Sequence, residues 1–545
     1  MHSKVLSVFP LTLLFFCVNA PCQTNPNFTL TMESPALSLG VGSSATVAMQ
    51  VKVVAAYNQP IYLIPSLLPP GVSVDVPTPI VGSQAVVIKI HASSASQLQN
   101  FSVNIYGASS GEAHSCSFSI AILEASALPP PAAPPVVLAP VNVPTADVTL
   151  PSLPVSASPI SAAKHEVGSH WVGSWGASAV TPSNESGAYY LTNVTVRQIV
   201  HLSVGSATGL RIKLSNALGK EPVTLGSVHV AQWAGDSANV TSAIVPATDQ
   251  IVRFSGSGTI VIPGGAEVFS DPVAFPLQAG TDLAVSFYIP KTSNVPATVH
   301  TFGNQTTYFA LGDSAAGTVL SNAFTDTVRP YLTGVDVDAE GASALVALGD
   351  SLTDGMLSSL NRNARWTDDL AQRLHDAYGD EVGVVNKGIA GNCVVMECMG
   401  PSAIERFNRD VLGVSNVRYL VILEGLNDIG NAPNLTVNQL TDAYRSMITL
   451  AHAQGISVYG ATIPPFGGSN YYSPAHERLR QQLNSFIRTG GAFDGVIDFD
   501  KAIANPTNRA YLLPQYVGDK IRPNDAGYKA MADAFDLALL NPAIR

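Results

Sequence analysis

A serine closes the apolar run Ala344-Leu345-Val346-Ala347-Leu348-Gly349-Asp350-Ser351. The run has the length and composition of a buried strand. A serine at the carboxyl end of a parallel strand sits where open α/β sheets bind ligands. Its hydroxyl is a nucleophile if one group removes its proton and others receive the oxyanion created by attack. The tripeptide alone has little weight, because Gly-Asp-Ser recurs at Gly235–Ser237 and Gly312–Ser314 and all three residues are common in turns. Only the third copy continues into Leu352-Thr353-Asp354-Gly355 and precedes alternating strand and helix patterns.

Three later segments supply polar groups that can meet this serine. The strand-like Val382-Gly383-Val384-Val385 leads into Asn386-Lys387-Gly388-Ile389-Ala390-Gly391-Asn392. A second strand-like run, Tyr419–Leu423, leads into Glu424-Gly425-Leu426-Asn427-Asp428. Near the C-terminus stands Gly518-Asp519-Lys520-Ile521-Arg522-Pro523-Asn524. Glycine lets a backbone N–H approach a substrate oxygen, and a carboxamide is a donor that does not titrate. Taken singly, Gly391 and Asn427 fit ordinary turns; it is the order of the blocks behind strands that gives them weight.

In that order the four blocks resemble the SGNH (GDSL-type) superfamily of serine esterases. Trp171-Val172-Gly173-Ser174-Trp175 and Val196–Val200 look like the front part of its larger secreted bacterial members, so the resemblance spans roughly Trp171 to Arg545. It implies a flavodoxin-like three-layer α/β/α domain with Ser351 as nucleophile. The implied oxyanion donors are the Ser351 N–H, the Gly391 N–H and the Asn427 amide. Asp519 is implied as the acid that orients the base, with water as second substrate and neither cofactor nor metal.

The chain departs from the family pattern at the base. Where the family has Asp-x-x-His, this sequence has Asp519-Lys520-Ile521-Arg522. A guanidinium has a pKa above about 12 and does not deprotonate in proteins. Loss of one triad member costs roughly 10⁴–10⁶ in turnover. Three explanations stand open: a degenerate or slow esterase, a substitute base among His201, His300, His476, Asp354 and Lys520, or a recent change or sequence error. Arg522 can also pair with Asp519 or bind an acidic substrate.

The elements that must position these groups follow from pattern. Helical spacing covers Trp366–Tyr378, Thr436–Ala453, Ala475–Arg488 and Asp525–Leu540, the last with Asn524 as N-cap. With strands at Ile456–Thr462 and Gly495–Phe499, residues 339–545 read as five parallel strands covered by helices. Residues 166–338 read as a β-sandwich or jelly roll, with strands at Val196–Val204, Leu210–Leu214, Ile251–Phe254, Thr259–Ile262 and Leu283–Ile289. Trp171, Trp175 and Trp233 are expected in its core rather than as sugar platforms. About seven short alternating runs in residues 23–125 suggest an immunoglobulin-like sandwich, followed by a proline-rich linker over 126–165.

Residues 1–22 read as a signal peptide: Lys4, then the apolar Val5–Val18. No other segment reads as a membrane span. Cys393 and Cys398 form a short disulfide or remain two free thiols. The chain has 545 residues, 46% hydrophobic and 12% charged, with net charge −11. That balance suits exported β-rich modules and lacks the basic face nucleic acid requires. Neither a phosphate-binding loop nor metal-ligand spacing of His and Cys is present. The expectation is a multidomain esterase, secreted or at the cell surface or periplasm, acting on an ester or O-acyl group such as a carbohydrate acetyl. The alternative is a non-catalytic surface or carbohydrate-binding protein on an esterase scaffold.

Overall fold

The computed structural model describes residues 28–123 and 170–540, except residues 35, 55–60, 66–71, 78–79, 93–98, 110–111, 181–189, 294 and 433–434. The signal segment and the linker over 126–165 lie outside the described residues.

Alternation of apolar and polar side chains builds the front unit. Ser44–Val53 and Gln84–Ala92 bury every second residue, as a half-covered sheet requires. One sheet runs in the order 28–32, 44–53, 84–92, 72–75; the other runs 36–40, 112–123, 99–109, 62–65. Phe28, Met49, Ile88, Ile105 and Phe118 meet between them. Among the described residues eight strands form where about seven were expected. Ala36–Gly40 leaves the sheet of Phe28–Met32 and pairs in parallel with Glu112–Leu123 of the other.

Residues 170–338 form a second sandwich. Strand Val194–His201 lies between Asp282–Ile289 and Thr307–Leu311 in a seven-stranded antiparallel sheet. A four-stranded sheet ordered 267–269, 210–215, 332–338, 171–176 faces it across Val196, Leu210, Ile212, Phe287, Leu332 and Val335. The strand expected over Ile251–Phe254 shrinks to Gln250–Ile251, and Phe254 instead closes a tight turn onto Ser257. Trp233 is buried as expected. Trp171 and Trp175 are half-buried, each beneath a guanidinium: Arg211 at 4.8 Å and Arg329 at 5.2 Å from the ring centres.

The last unit is the α/β sheet. Its strands are β1 (Ser343–Gly349), β2 (Val382–Gly388), β3 (Val417–Leu423), β4 (Ser457–Ala461) and β5 (Gly495–Ile497), all parallel, in the order β2-β1-β3-β4-β5. This is the flavodoxin-like order, whose ligand crevice opens at the β1/β3 switch point. The strands are almost wholly buried, which is why they read as continuous apolar runs. Helices α1 (Ser351–Asp354), α2 (Trp366–Tyr378), α3 (Ala403–Phe407), α4 (Leu426–Asn431), α5 (Val437–His452), α6 (Pro474–Thr489), α7 (Phe499–Ile503) and α8 (Asp525–Asp533) complete it. Thr436 and Gln439 form a capping box at the start of α5. Asn524 accepts the Gly527 N–H and caps α8. That helix is shorter than expected, because Asp536 accepts the Ala538 N–H and starts a separate turn over Leu537–Leu539. Among the described residues, no helix is long and apolar enough to cross a membrane.

The second sandwich and the parallel sheet touch along β2, one of the sheet's two edges. Val384 donates its N–H to Ser203 Oγ at 2.8 Å, and Lys387 Nζ reaches the carbonyls of Ala177 and Thr333 at 2.9 and 3.0 Å. The backbones come this close because Gly383 has no side chain; a Cβ there would lie 2.4 Å from the Gly173 carbonyl oxygen. Gly383→Ala is therefore expected to destabilise the chain by about 1–3 kcal/mol, read as a lower urea midpoint.

Candidate active site

Ser351 is the first residue of α1, directly after β1. Asp350 caps that helix by accepting the Leu352 N–H at 2.9 Å, and Gly355 ends it at φ 88°. Ser351 is 2% exposed. The loop after β2 is tied to this turn twice. Ile389 N–H donates to the Gly349 carbonyl at 2.9 Å, and Ala390 N–H to Asp354 Oδ2 at 2.8 Å. Gly391 follows at φ +81°, in the left-handed region, with Met399 so close that a Cβ would meet its Cγ at 2.7 Å. Among the described residues, neither the Ser351 nor the Gly391 N–H has a hydrogen-bond acceptor.

Asn427 stands at the start of α4, after β3. Its Nδ2 donates to the Asn392 carbonyl at 2.8 Å and to Asp350 Oδ2 at 3.3 Å, and its Oδ1 accepts from the Tyr471 hydroxyl at 3.3 Å. The amide thus touches the neighbours of both Ser351 and Gly391. Asp428, the next residue, accepts the N–H groups of Val394 and Val395 at 2.8 and 3.1 Å. Those two residues lie within the loop closed by the Cys393–Cys398 disulfide, whose Cα atoms are 5.7 Å apart. Of the two states open at the sequence level, the bonded one is present.

The C-terminal block joins the same cluster. Asp519 Oδ1 accepts the N–H groups of Ile521 and Arg522 at 2.7 Å each, and Oδ2 accepts from Arg522 Nη1 at 2.6 Å. Arg522 Nε lies 3.4 Å from Ser351 Oγ. Carboxylate, cation and hydroxyl therefore form a row. Burial pushes the Asp350 carboxyl up to about 7; the Leu352 N–H and Arg522 oppose that rise, and Asp428 adds to it. Burial likewise pushes Asp428 up to about 6.

No hydrogen bond links the other candidate bases to Ser351. His201 faces Asp282 at 2.8 Å, and His476 faces the Tyr471 carbonyl at 2.7 Å. Lys520 is exposed. His300 comes nearest in role: its Nε2 lies 3.1 Å from Asp354 Oδ1 and its Nδ1 lies 2.9 Å from the Ser178 carbonyl. A carbonyl only accepts, so Nδ1 carries a proton. Asp354 thereby links the second sandwich to the Gly391 loop.

Sequence reasoning missed Arg406, whose side chain is fully buried. It donates to the carbonyls of Gly349 at 3.0 Å and Lys387 at 2.6 Å, and to Asn392 Oδ1 at 3.0 Å. Asp410 lies at 3.2 Å and Glu424 at 3.4 Å. Burial alone would raise Asp410, yet Arg409, Lys387 and Arg406 hold it well below the usual carboxylate range. Burial and then Asp350 push Glu424 well above it. No local signal marks Arg406, which sits between ordinary helix residues. Among the described residues, no group of His, Cys, Asp and Glu can hold a metal ion.

Residues 347–530 match the GDSL-like Lipase/Acylhydrolase family. No curated protein matches the chain significantly. Similar solved structures include a GDSL-like lipase from Bacteroides thetaiotaomicron, 21% identical over 36% of this chain and 88% of that one, with TM-score 0.27. A psychrotrophic esterase from Pseudoalteromonas sp. is 18% identical over 35% and 93%, with TM-score 0.28. A carbohydrate acetylesterase from Sinorhizobium meliloti is 14% identical over 35% and 95%, also with TM-score 0.28. At such scores these likenesses carry no further weight.

Removing Arg406 strands the carbonyls and carboxylates it serves. Arg406→Met is expected to cost about 3–5 kcal/mol in urea unfolding. Arg406→Lys is expected to recover little of it, since one ammonium cannot reach partners spread over a planar fork.

Proposed function

We infer from the GDSL-like lipase/acylhydrolase domain over residues 347–530 that the chain acts on an ester or O-acyl group, with Ser351 as nucleophile. In this reading Ser351 Oγ bonds to the acyl carbon and the carbonyl oxygen becomes an oxyanion. The Ser351 N–H, the Gly391 N–H and the Asn427 amide receive that charge. Collapse expels the alcohol, and water then hydrolyses the acyl-serine to release the acid. Each such donor is worth about 10²–10³ in turnover. The acyl group of a carbohydrate ester falls within this class.

The observation that carries the reading is the row Asp519–Arg522–Ser351, with contacts of 2.6 and 3.4 Å. An imidazole in the middle of that row would take the serine proton. The guanidinium is already fully protonated and takes none. It can stabilise the alkoxide, but the proton must pass to water or hydroxide. The native site is thus a slow hydrolase whose rate climbs with pH. The same guanidinium favours a second reading, a surface protein that holds an acylated carbohydrate or acidic ligand on an esterase scaffold without turning it over.

Export is part of the proposal, with residues 1–22 as the cleaved signal. The Cys393–Cys398 disulfide supports it, because disulfides persist in oxidising compartments. The front sandwich is proposed as an immunoglobulin-like spacer or adhesion module, set off by the proline-rich linker.

Turnover of p-nitrophenyl acetate by three proteins tests this. The native chain is expected to be slow and Ser351→Ala slower. Arg522→His is expected to gain about 10²-fold or more. Its rate should rise through about pH 6.5, since only neutral imidazole accepts the proton. A native rate equal to that of Ser351→Ala, with Arg522→His active, selects the binding protein. A folded but inactive Arg522→His defeats the hydrolase reading.

A further inference from the structure

Away from Ser351, between the second sandwich and the parallel sheet, lies a cavity of about 50 Å³. Trp175, His300, Arg329, Asp354, Arg365 and Asp368 are among its walls. Arg329 is 4% exposed, and among the described residues its Nη1 has no hydrogen-bond partner. Its Nη2 reaches the Gly303 carbonyl at 3.5 Å, and the Trp175 ring faces the guanidinium.

The carboxylates nearby are engaged elsewhere. Asp354 Oδ1 meets His300 and Oδ2 takes the Ala390 N–H. Asp368 Oδ2 takes the backbone N–H and Nη1 of Arg365 at 3.0 and 3.2 Å. His201, also at the wall, is paired with Asp282. Two guanidiniums, those of Arg329 and Arg365, therefore stand at the cavity wall, and neither carboxylate serves the open donor of Arg329. Burial, then the like charge of Arg365, push Arg329 down to about 9, while Asp354 and Asp368 oppose them; it remains a cation at neutral pH. A buried cation with an unmade hydrogen bond is costly unless something supplies the missing acceptor and charge.

We propose that this cavity binds a small monovalent inorganic anion of the halide class, held by Arg329 Nη1. The space suits such an ion with a water or two and is too small for an ester substrate. The ion would lie beside the His300–Asp354 pair and so brace the contact that holds the Gly391 loop. It takes no part in acyl transfer, so the proposal stands whether or not the chain hydrolyses esters.

Crystals of the full chain soaked in about 0.1 M sodium bromide are expected to show an anomalous peak within about 3.3 Å of Arg329 Nη1, a hydrogen-bonding distance for this larger ion. Thermal unfolding is expected to shift upward by about 2–4 °C from 1 to 100 mM chloride, with gluconate holding ionic strength constant. Arg329→Met should abolish that shift. Should this variant fail to fold, bromide in the native crystal decides alone. Density there without anomalous signal, which is water, overturns the proposal. So does a native melting temperature that ignores chloride, or a shift that survives in folded Arg329→Met.

Discussion

One buried guanidinium holds the site region together. Arg406 grips the last carbonyl of β1, a carbonyl near the end of β2 and the side chain of Asn392. It also reaches Glu424, just past β3, and Ser178 Oγ of the second sandwich at 3.1 Å. Sheet twist rotates neighbouring strand ends relative to one another, and Arg406 spans three of them. A planar cation with five donors can do so where carbonyls converge. Ser351, Gly391 and Asn427 each emerge two to four residues beyond a strand braced in this way.

The organisation of the α/β unit was legible because its signals are local. Continuous apolar runs marked β1 and β3, and helical spacing placed α2 over Trp366–Tyr378. Thr436 marked the start of α5. Boundaries failed where a polar side chain restarted the backbone, as Asp536 does after α8. Convergence of Ser351, Asn427 and Arg522 followed from placing each block behind a strand or near the C-terminus.

What stayed hidden is long-range. Arg406 serves partners that lie apart in sequence, and nothing beside it announces this. His300 meets Asp354 across 54 positions and two structural units. From sequence alone His300 is one of several histidines that no spacing argument places. Its partner emerges only once the second sandwich packs on β2, and that packing depends on the bare backbone of Gly383. The half-buried state of Trp171 and Trp175 is likewise a property of the arginines stacked on them.

The hydroxyl of Ser203 on the Val384 N–H has a consequence for modularity. β2 is a rim strand, and an unshielded rim invites pairing with a foreign strand. Here the neighbouring sandwich caps it with a side chain and not with a ladder of its own. The α/β unit is therefore not a portable cassette. Excised from residues 170–338, it would present an uncovered border to its own copies.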